Sequence, residues 1–187
     1  MILFRPFAAH RRGLPAVSSV KLATLALALL CVATTVLAGG ATAWKEQAGQ
    51  FATFQVPATL TREAGKRSTS ASGSTISEAY RSPDLTLTFD SESATLPPTL
   101  QKQFDRTVAT WTAQRKTDWH KAAFVPGGGG IEGSDNARDP SGLRYYLFLN
   151  CAIGESDSFG VHIRFRSLDR LDDIERILKS IRFKGQQ

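Results

Sequence analysis

The feature that most constrains this chain is an uncharged, largely apolar segment at residues 22–43. The residues before it contain no acid and four basic side chains, namely Arg5, Arg11, Arg12 and Lys21. A basic stretch followed by an apolar one is typical of an export signal. We therefore expect residues 1–43 to be a signal peptide or an N-terminal anchor, and residues 44–187 to fold as a single α+β domain.

Three fates of the apolar segment are compatible with its composition. It is just long enough to span a membrane if its glycines are tolerated, since a spanning helix needs about 20 mostly apolar residues. Cleavage requires small residues at alternate positions after the apolar run, and both 36–38 and 41–43 supply them. A lipoprotein tether requires a small residue before the modified cysteine, but Leu30 precedes Cys31. The pattern favours removal, then retention as an inner-membrane anchor, then the tether.

The basic residues of the first segment account for much of the chain's positive charge. The whole sequence has 23 lysines and arginines against 17 acids, whereas residues 44–187 have 19 against 17. Binding of nucleic acid requires a clustered basic surface on the folded domain, so we expect no nucleic-acid partner. The pair Arg11 and Arg12 lies in a context that fits a twin-arginine signal poorly. Export by the general secretory route to the periplasm or the medium is therefore expected.

Alternation of apolar and polar residues predicts about six strands. The segments are 51–57, 76–81, 84–91, 143–153, 161–166 and 180–183. The fourth and fifth are close enough to form an antiparallel hairpin. The fourth is apolar on both faces, which predicts a central strand covered on both sides. Residues 119–125 are a weaker strand candidate, whereas the polar stretch 66–77 and the glycine-rich stretch 127–142 predict loops.

Two segments have helical periodicity. An apolar stripe at spacings of four, four and three residues consists of Leu100, Phe104, Val108 and Trp111. The second helix is predicted to start at an N-cap, Ser167, and to bury Leu168, Leu171, Ile174 and Leu178. The expected fold class is therefore an antiparallel sheet with two main helices packed on it.

The sequence contains no convincing catalytic or metal-binding motif. Cys151 is the one plausible nucleophile, with His162 or His120 as its base, but strand alternation places Cys151 and His162 on opposite faces of the sheet. Asp90 and Glu92 are carboxylates near a strand end with no predicted partner. The glycine-rich loop lacks the Gly-Lys-Ser/Thr of a phosphate loop, and the two histidines lack metal-ligand spacing. We expect no catalytic residue, metal or cofactor.

A row of polar side chains on one strand is the one candidate binding surface. His162, Arg164 and Arg166 alternate with apolar residues, so they share the polar face of their strand. Such a row suits a small anion or a partner protein. It is also the pattern of an ordinary solvated strand face, paired with acids on a neighbouring strand.

Three short stretches resemble the Mog1p/PsbP-like superfamily. They are "FATFQVP" at 51–57, "LTLTFDS" at 85–91 and "DDIERILKSIRF" at 172–183, where a helix runs directly into a last strand. The resemblance implies an antiparallel sheet with helices on its faces, and it implies a non-enzymatic accessory or binding protein. It implies no shared set of catalytic residues.

The sequence as a whole predicts an exported, non-enzymatic binding or accessory module that acts on an unidentified protein or small ligand of the cell envelope. One alternative is a small thiol or hydrolytic enzyme that uses Cys151 or the face of His162. Another is an envelope factor tethered by an uncleaved N-terminal helix, which is the one case in which contact with a membrane is expected.

Overall fold

Strands provide most of the regular structure in residues 42–70, 73–127 and 129–185, which the computed structural model describes. Those residues form eleven strands: β1 Trp44–Ala48, β2 Ala52–Pro57, β3 Thr61–Arg62, β4 Lys66–Ser70, β5 Gly73–Arg81, β6 Leu85–Ser91, β7 Ala123–Val125, β8 Gly129–Asp135, β9 Tyr145–Ala152, β10 Ser158–Phe165 and β11 Arg182–Phe183. They also form two α-helices, α1 Leu100–Gln114 and α2 Leu171–Ser180. In these ranges no helix has the length and apolarity needed to cross a membrane. The apolar segment predicted for export lies almost entirely outside them, so its fate stays a prediction.

The strands form two antiparallel sheets. The large sheet has the order β3-β5-β6-β10-β9-β8-β7, with β4 also paired to β5, and the small sheet has the order β1-β2-β11. The predicted α+β class, with an antiparallel sheet and two helices, is confirmed. The expectation of about six strands in one sheet is wrong, because the described residues form eleven strands in two sheets. Several of these strands have no alternation of apolar and polar residues and are held by backbone pairing.

The glycine-rich stretch 127–142 is the clearest correction. Gly129–Asp135 is strand β8, paired with β9 on one side and β7 on the other. The glycines permit close packing here: a Cβ on Gly133 would lie 2.5 Å from the ring of Trp119. The predicted loop at 66–77 is likewise a hairpin of β4 and β5. Both segments have the composition of a loop, yet they are strands, because they pair with neighbouring strands and, in β8, because glycine allows side chains to pack against the backbone.

The core lies on one face of the large sheet. Its central inward residues are Leu85, Leu87 and Phe89 on β6 and Val161, Ile163 and Phe165 on β10, all buried. Helix α1 packs on β7, β8 and β9, and α2 packs on β2 and on α1. The small sheet covers β5 and β6, where Phe54 meets Tyr80 and Phe89 at ring-centroid distances of 5.0 and 5.1 Å. The opposite face of the large sheet carries polar and half-buried side chains.

The two helices agree with their predicted stripes except at the start of the second, where Leu168 is exposed and Leu171 is only partly buried. The residues predicted for the core side of α1 are buried: Leu100, Phe104, Val108 and Trp111. Ser167 caps a 3-10 turn at Leu168–Arg170 by accepting a hydrogen bond from the N–H of Asp169, and α2 begins only at Leu171. The tighter turn rotates Leu168 out of the stripe. Leu168 is consequently 38% exposed, while Ile177 is fully buried.

Candidate functional site

A groove of about 600 Å³ lies on the open face of the large sheet, across β6, β10 and β9. Its charged and aromatic lining residues are Arg81, Asp90, Tyr146, His162, Arg164 and Arg166. The register explains this grouping: His162 lies between Thr88 and Phe148, and Arg164 lies between Thr86 and Tyr146. Because side chains alternate along a strand, these cross-strand neighbours project from the same face.

The predicted polar row is brought together in this groove. His162 and Arg164 project from β10, and Arg166 directly follows the strand, so all three line the groove. The row also has acidic neighbours, as the alternative interpretation expects: Asp90 of β6 faces His162, and Asp84 of the β5–β6 turn binds Arg166. The structure thus places the row in a concave surface, while its ligand stays a prediction.

His162 is the centre of a chain of polar contacts. Its Nδ1 is hydrogen-bonded to the Tyr146 hydroxyl, and its Nε2 lies 3.1 Å from Oδ2 of Asp90. Because a carboxylate only accepts hydrogen bonds, Nε2 is the donor to Asp90 and Nδ1 is left to accept from Tyr146. Asp90 also accepts a hydrogen bond from the Ser77 hydroxyl. Burial lowers the pKa of His162, and although Asp90 opposes that shift, Arg164 reinforces it. The imidazole is therefore neutral near pH 7, with its proton on the nitrogen that faces Asp90.

Tyr146 gives the groove an aromatic surface, and Phe148 lies beside it at the edge of the groove. Burial raises the pKa of Tyr146, so its hydroxyl stays protonated and donates a hydrogen bond to His162. The Tyr146 and Phe148 rings are parallel with centroids 6.4 Å apart, and the Phe148 ring lies 4.6 Å from that of His162. The prediction that this strand is covered on both sides is wrong on this face, because both aromatic residues are only half-buried.

The arginines of the groove differ in how firmly they are held. Arg166 is fixed, since its Nε donates to Oδ1 of Asp84 at 2.9 Å and its Nη2 donates to the carbonyl of Pro83 at 3.0 Å. Arg164 is 56% exposed, and its Nη1 forms an ion pair with Oδ2 of Asp139 at 3.7 Å, a distance too long for a hydrogen bond. Its guanidinium lies 5.7 Å from the centroid of the Tyr146 ring. Arg164 is therefore the arginine best placed to bind an external anion.

Cys151 lies away from this groove. It belongs to the core face, where burial raises its pKa to about 12. His162 projects from the other face, in agreement with the predicted alternation. The carbonyl of His120 accepts a hydrogen bond from the N–H of Gly133, toward one end of β8. Cys151 pairs with Gly129, at the other end. Gly129 and Gly133 are about 13 Å apart along the strand. The structure therefore unites Cys151 with neither candidate base.

The sequence did not predict the two residues that contact His162. Asp90 had no assigned partner and Tyr146 was expected beneath a covering layer, yet both contact His162. Alternation along "LTLTFD" places Asp90 on the polar face, but only the pairing of β6 with β10 brings it to His162. In the described part of the chain, no three His, Cys, Asp or Glu side chains are grouped closely enough to hold a metal ion.

Comparison of the chain with known protein families, with curated proteins and with solved structures found no match. The resemblance to the Mog1p/PsbP-like superfamily thus depends on the three short stretches alone and stays a prediction.

Proposed function

We propose that this chain is an exported, non-enzymatic binding protein whose groove holds a small anion. The observation that carries the proposal is the position of Arg164, which is half-exposed beside the ring of Tyr146 and whose carboxylate partner among the described residues, Asp139, lies 3.7 Å away, beyond hydrogen-bond distance. Three arginines and one carboxylate line the groove. A concave surface with a few converging polar groups is the usual form of a ligand site.

The chemistry of the groove suits a carboxylate or a phosphate. A guanidinium is planar and can donate two parallel hydrogen bonds to such an anion. The ring of Tyr146 covers one side of Arg164, and exclusion of water strengthens a charged hydrogen bond. Arg166 is already committed to Asp84 and Pro83, so it adds positive charge and fixes the wall of the groove.

The arrangement of His162 favours binding over catalysis. Both ring nitrogens already face polar partners, Tyr146 and Asp90. A general base must reach a proton of the substrate, and a ring nitrogen of His162 would first have to leave Tyr146 or Asp90. The same contacts hold Tyr146 and Asp90 in place, so the three residues form a rigid support for Arg164.

The test is a titration of the protein with acetate and with inorganic phosphate, followed by NMR of the backbone amides. Saturable changes in amide chemical shift are expected at residues lining the groove. Arg164→Gln should weaken binding at least about tenfold, because it removes one charge-assisted hydrogen bond. Arg106→Gln is the matched control, because Arg106 is exposed on α1. The absence of saturable shifts, or equal binding by wild type and Arg164→Gln, would overturn the proposal.

A second candidate function, a small hydrolytic activity, is favoured by one observation. Asp90, His162 and Tyr146 present a carboxylate, an imidazole and a hydroxyl in the order used by serine hydrolases. The raised pKa of Tyr146 opposes its use as a nucleophile. Hydrolysis of p-nitrophenyl acetate that disappears in both His162→Gln and Tyr146→Phe would support this function over simple binding.

A third candidate, a tethered envelope factor, concerns residues outside the described ranges. Its test is the N-terminal residue of the protein recovered from cells. A start at Gly39 or Trp44 would rule out a retained anchor.

A further inference from the structure

A second hollow, of about 470 Å³, lies on the same face of the large sheet beside the groove. Its main lining residues are Phe124, Val125, Gly130, Glu132, Phe148 and Asn150. Phe148 forms the border, because its side chain lines the hollow and its ring packs on His162 of the groove. The groove and the hollow therefore adjoin across a single aromatic contact.

The hollow presents apolar surface to solvent. Phe124 is 76% exposed, the most exposed of the large hydrophobic side chains in the described ranges. Its ring lies over Gly130, where a Cβ would stand 2.9 Å from Cδ1 of Phe124. Glycine at 130 thus lets the exposed ring lie against the backbone of β8, and Phe124 and Phe148 wall an apolar trough. Apolar side chains that are exposed next to one another, and not singly, are typical of ligand-binding grooves.

Charge is distributed unequally along the two adjoining surfaces. Arg81, Arg164 and Arg166 line the groove together with a single carboxylate, Asp90, whereas the one charged lining residue of the hollow is Glu132. β10 and β7 are separated by three strand spacings, about 14 Å. A ligand that extends from β10 to β7 would first meet Arg164 and then the rings of Phe148 and Phe124. Glu132 would repel an anionic head placed at the β7 end, so it disfavours the opposite orientation of the ligand.

We infer that the ligand of the groove is an amphiphilic anion, with a carboxylate or phosphate head on Arg164 and an aliphatic tail that crosses Phe148 to Phe124. This inference depends on the proposed anion site and adds the chemical class of its ligand. The tail removes the exposed Phe124 ring from water, and the arginines determine the orientation of the head. Each methylene that becomes fully buried strengthens binding by up to about fourfold.

The test compares acetate, octanoate, octyl phosphate and octanol by isothermal titration calorimetry of the full chain. Octanoate and octyl phosphate are expected to bind at least about tenfold more tightly than acetate, because part of the tail is buried. Phe124→Ala should remove most of that advantage without changing the affinity for acetate. Arg164→Gln should weaken all three anions. Leu168→Ala is the matched control, since Leu168 is also exposed but lies on the 3-10 turn before α2.

The outcomes separate the two proposals. Equal, Arg164-dependent binding of acetate and octanoate would overturn the amphiphile while leaving the anion site intact. Failure of every anion to bind in an Arg164-dependent way would overturn both. Octanol that binds as tightly as octanoate would overturn the assignment of the head to Arg164. If anionic phospholipid vesicles bind through Phe124 and Arg164 while free octanoate does not, the surface recognises a membrane and the free amphiphile is excluded.

Discussion

The carboxylate of Glu78 lies directly against Gly49, so closely that a Cβ on Gly49 would stand 2.5 Å from Oε2. Glu78 belongs to β5 of the large sheet and is 1% exposed, and Gly49 follows β1 of the small sheet. Oε2 accepts a hydrogen bond from the N–H of Gln50 at 2.7 Å, and Oε1 accepts one from the Tyr80 hydroxyl at 2.8 Å. Arg62 neutralises the carboxylate at 2.6 Å. One buried acid thus joins the two sheets.

Substitution of Gly49 by alanine should destabilise the domain. The added methyl group would meet Oε2 of Glu78 and, at 2.7 Å, the hydroxyl of Tyr80, and both atoms are already held by hydrogen bonds. Overpacking of this kind costs about 1–3 kcal/mol in free energy of unfolding. Urea denaturation of Gly49→Ala measures it.

The matched control for this prediction is Gly154→Ala in the β9–β10 loop. There the new Cβ would have its nearest neighbour 3.6 Å away, in Asp157, which is ordinary van der Waals contact. The control should be neutral or slightly stabilising, because alanine restricts the unfolded chain. Equal stability of the two variants would contradict a tight junction at Gly49.

Removal of the carboxylate itself should cost more than removal of an exposed acid. In Glu78→Ala, the buried Tyr80 hydroxyl and the N–H of Gln50 lose their acceptor, and an orphaned buried donor costs about 1–3 kcal/mol. We expect a loss of at least about 2 kcal/mol in urea denaturation, and less than about 0.5 kcal/mol for the exposed Glu155→Ala. Adding Tyr80→Phe to Glu78→Ala should restore part of the loss, and an additive double variant would contradict this account.

Sequence periodicity predicted those elements in which one face is apolar. Leu85, Leu87 and Phe89 alternate with polar residues, and the structure buries them as expected. Strand β8 was not predicted, because its inward positions include Gly129 and Gly133. These glycines have no side chain, and this lets Thr107 and Trp119 approach the strand. No apolar period exists in such a strand, so its pairing with β9 could be found only from the folded chain.

The candidate site was predictable in part for a similar reason. Alternation along one strand sufficed to place His162 and Arg164 on a common face. The separation of Cys151 from His162 followed from alternation only together with the predicted hairpin of their two strands. The contacts of His162 with Asp90 and Tyr146 depend on the register of three strands. A shift of one residue would reverse every side chain, and no local pattern in the sequence determines that register.

The stability of the domain should fall in mild acid because of His162. Its pKa is lowered in the folded protein by burial, whereas in the unfolded chain it is close to 6.5. The unfolded chain therefore binds a proton at a higher pH than the folded chain does. The contribution of neutral His162 is complete above about pH 6.5 and is lost as the pH falls through that value toward the lower folded pKa.

Urea denaturation between about pH 7.5 and pH 5 tests this linkage. His162→Gln should reduce the loss of stability in this range, because glutamine does not titrate. His120→Gln is the matched control, since the side chain of His120 is half-exposed on a turn, and it should keep the wild-type slope. An unchanged slope in His162→Gln would mean that other groups cause the acid sensitivity.

The thiol of Cys151 should be inert while the domain is folded. Thiolate is the reactive form of cysteine, and burial raises the pKa of this thiol to about 12, from an ordinary value of about 8.5. In a Cys31→Ser chain, Ellman's reagent at about pH 8 should label Cys151 only after urea is added, and Cys31→Ser/Cys151→Ala supplies the blank. Rapid labelling of the folded chain would mean that the thiol reaches solvent. Because the side chain is fully buried on the core face of the large sheet, where α1 packs on β9, such access would require the layer on that face to move away, and the thiol enzyme would then regain support.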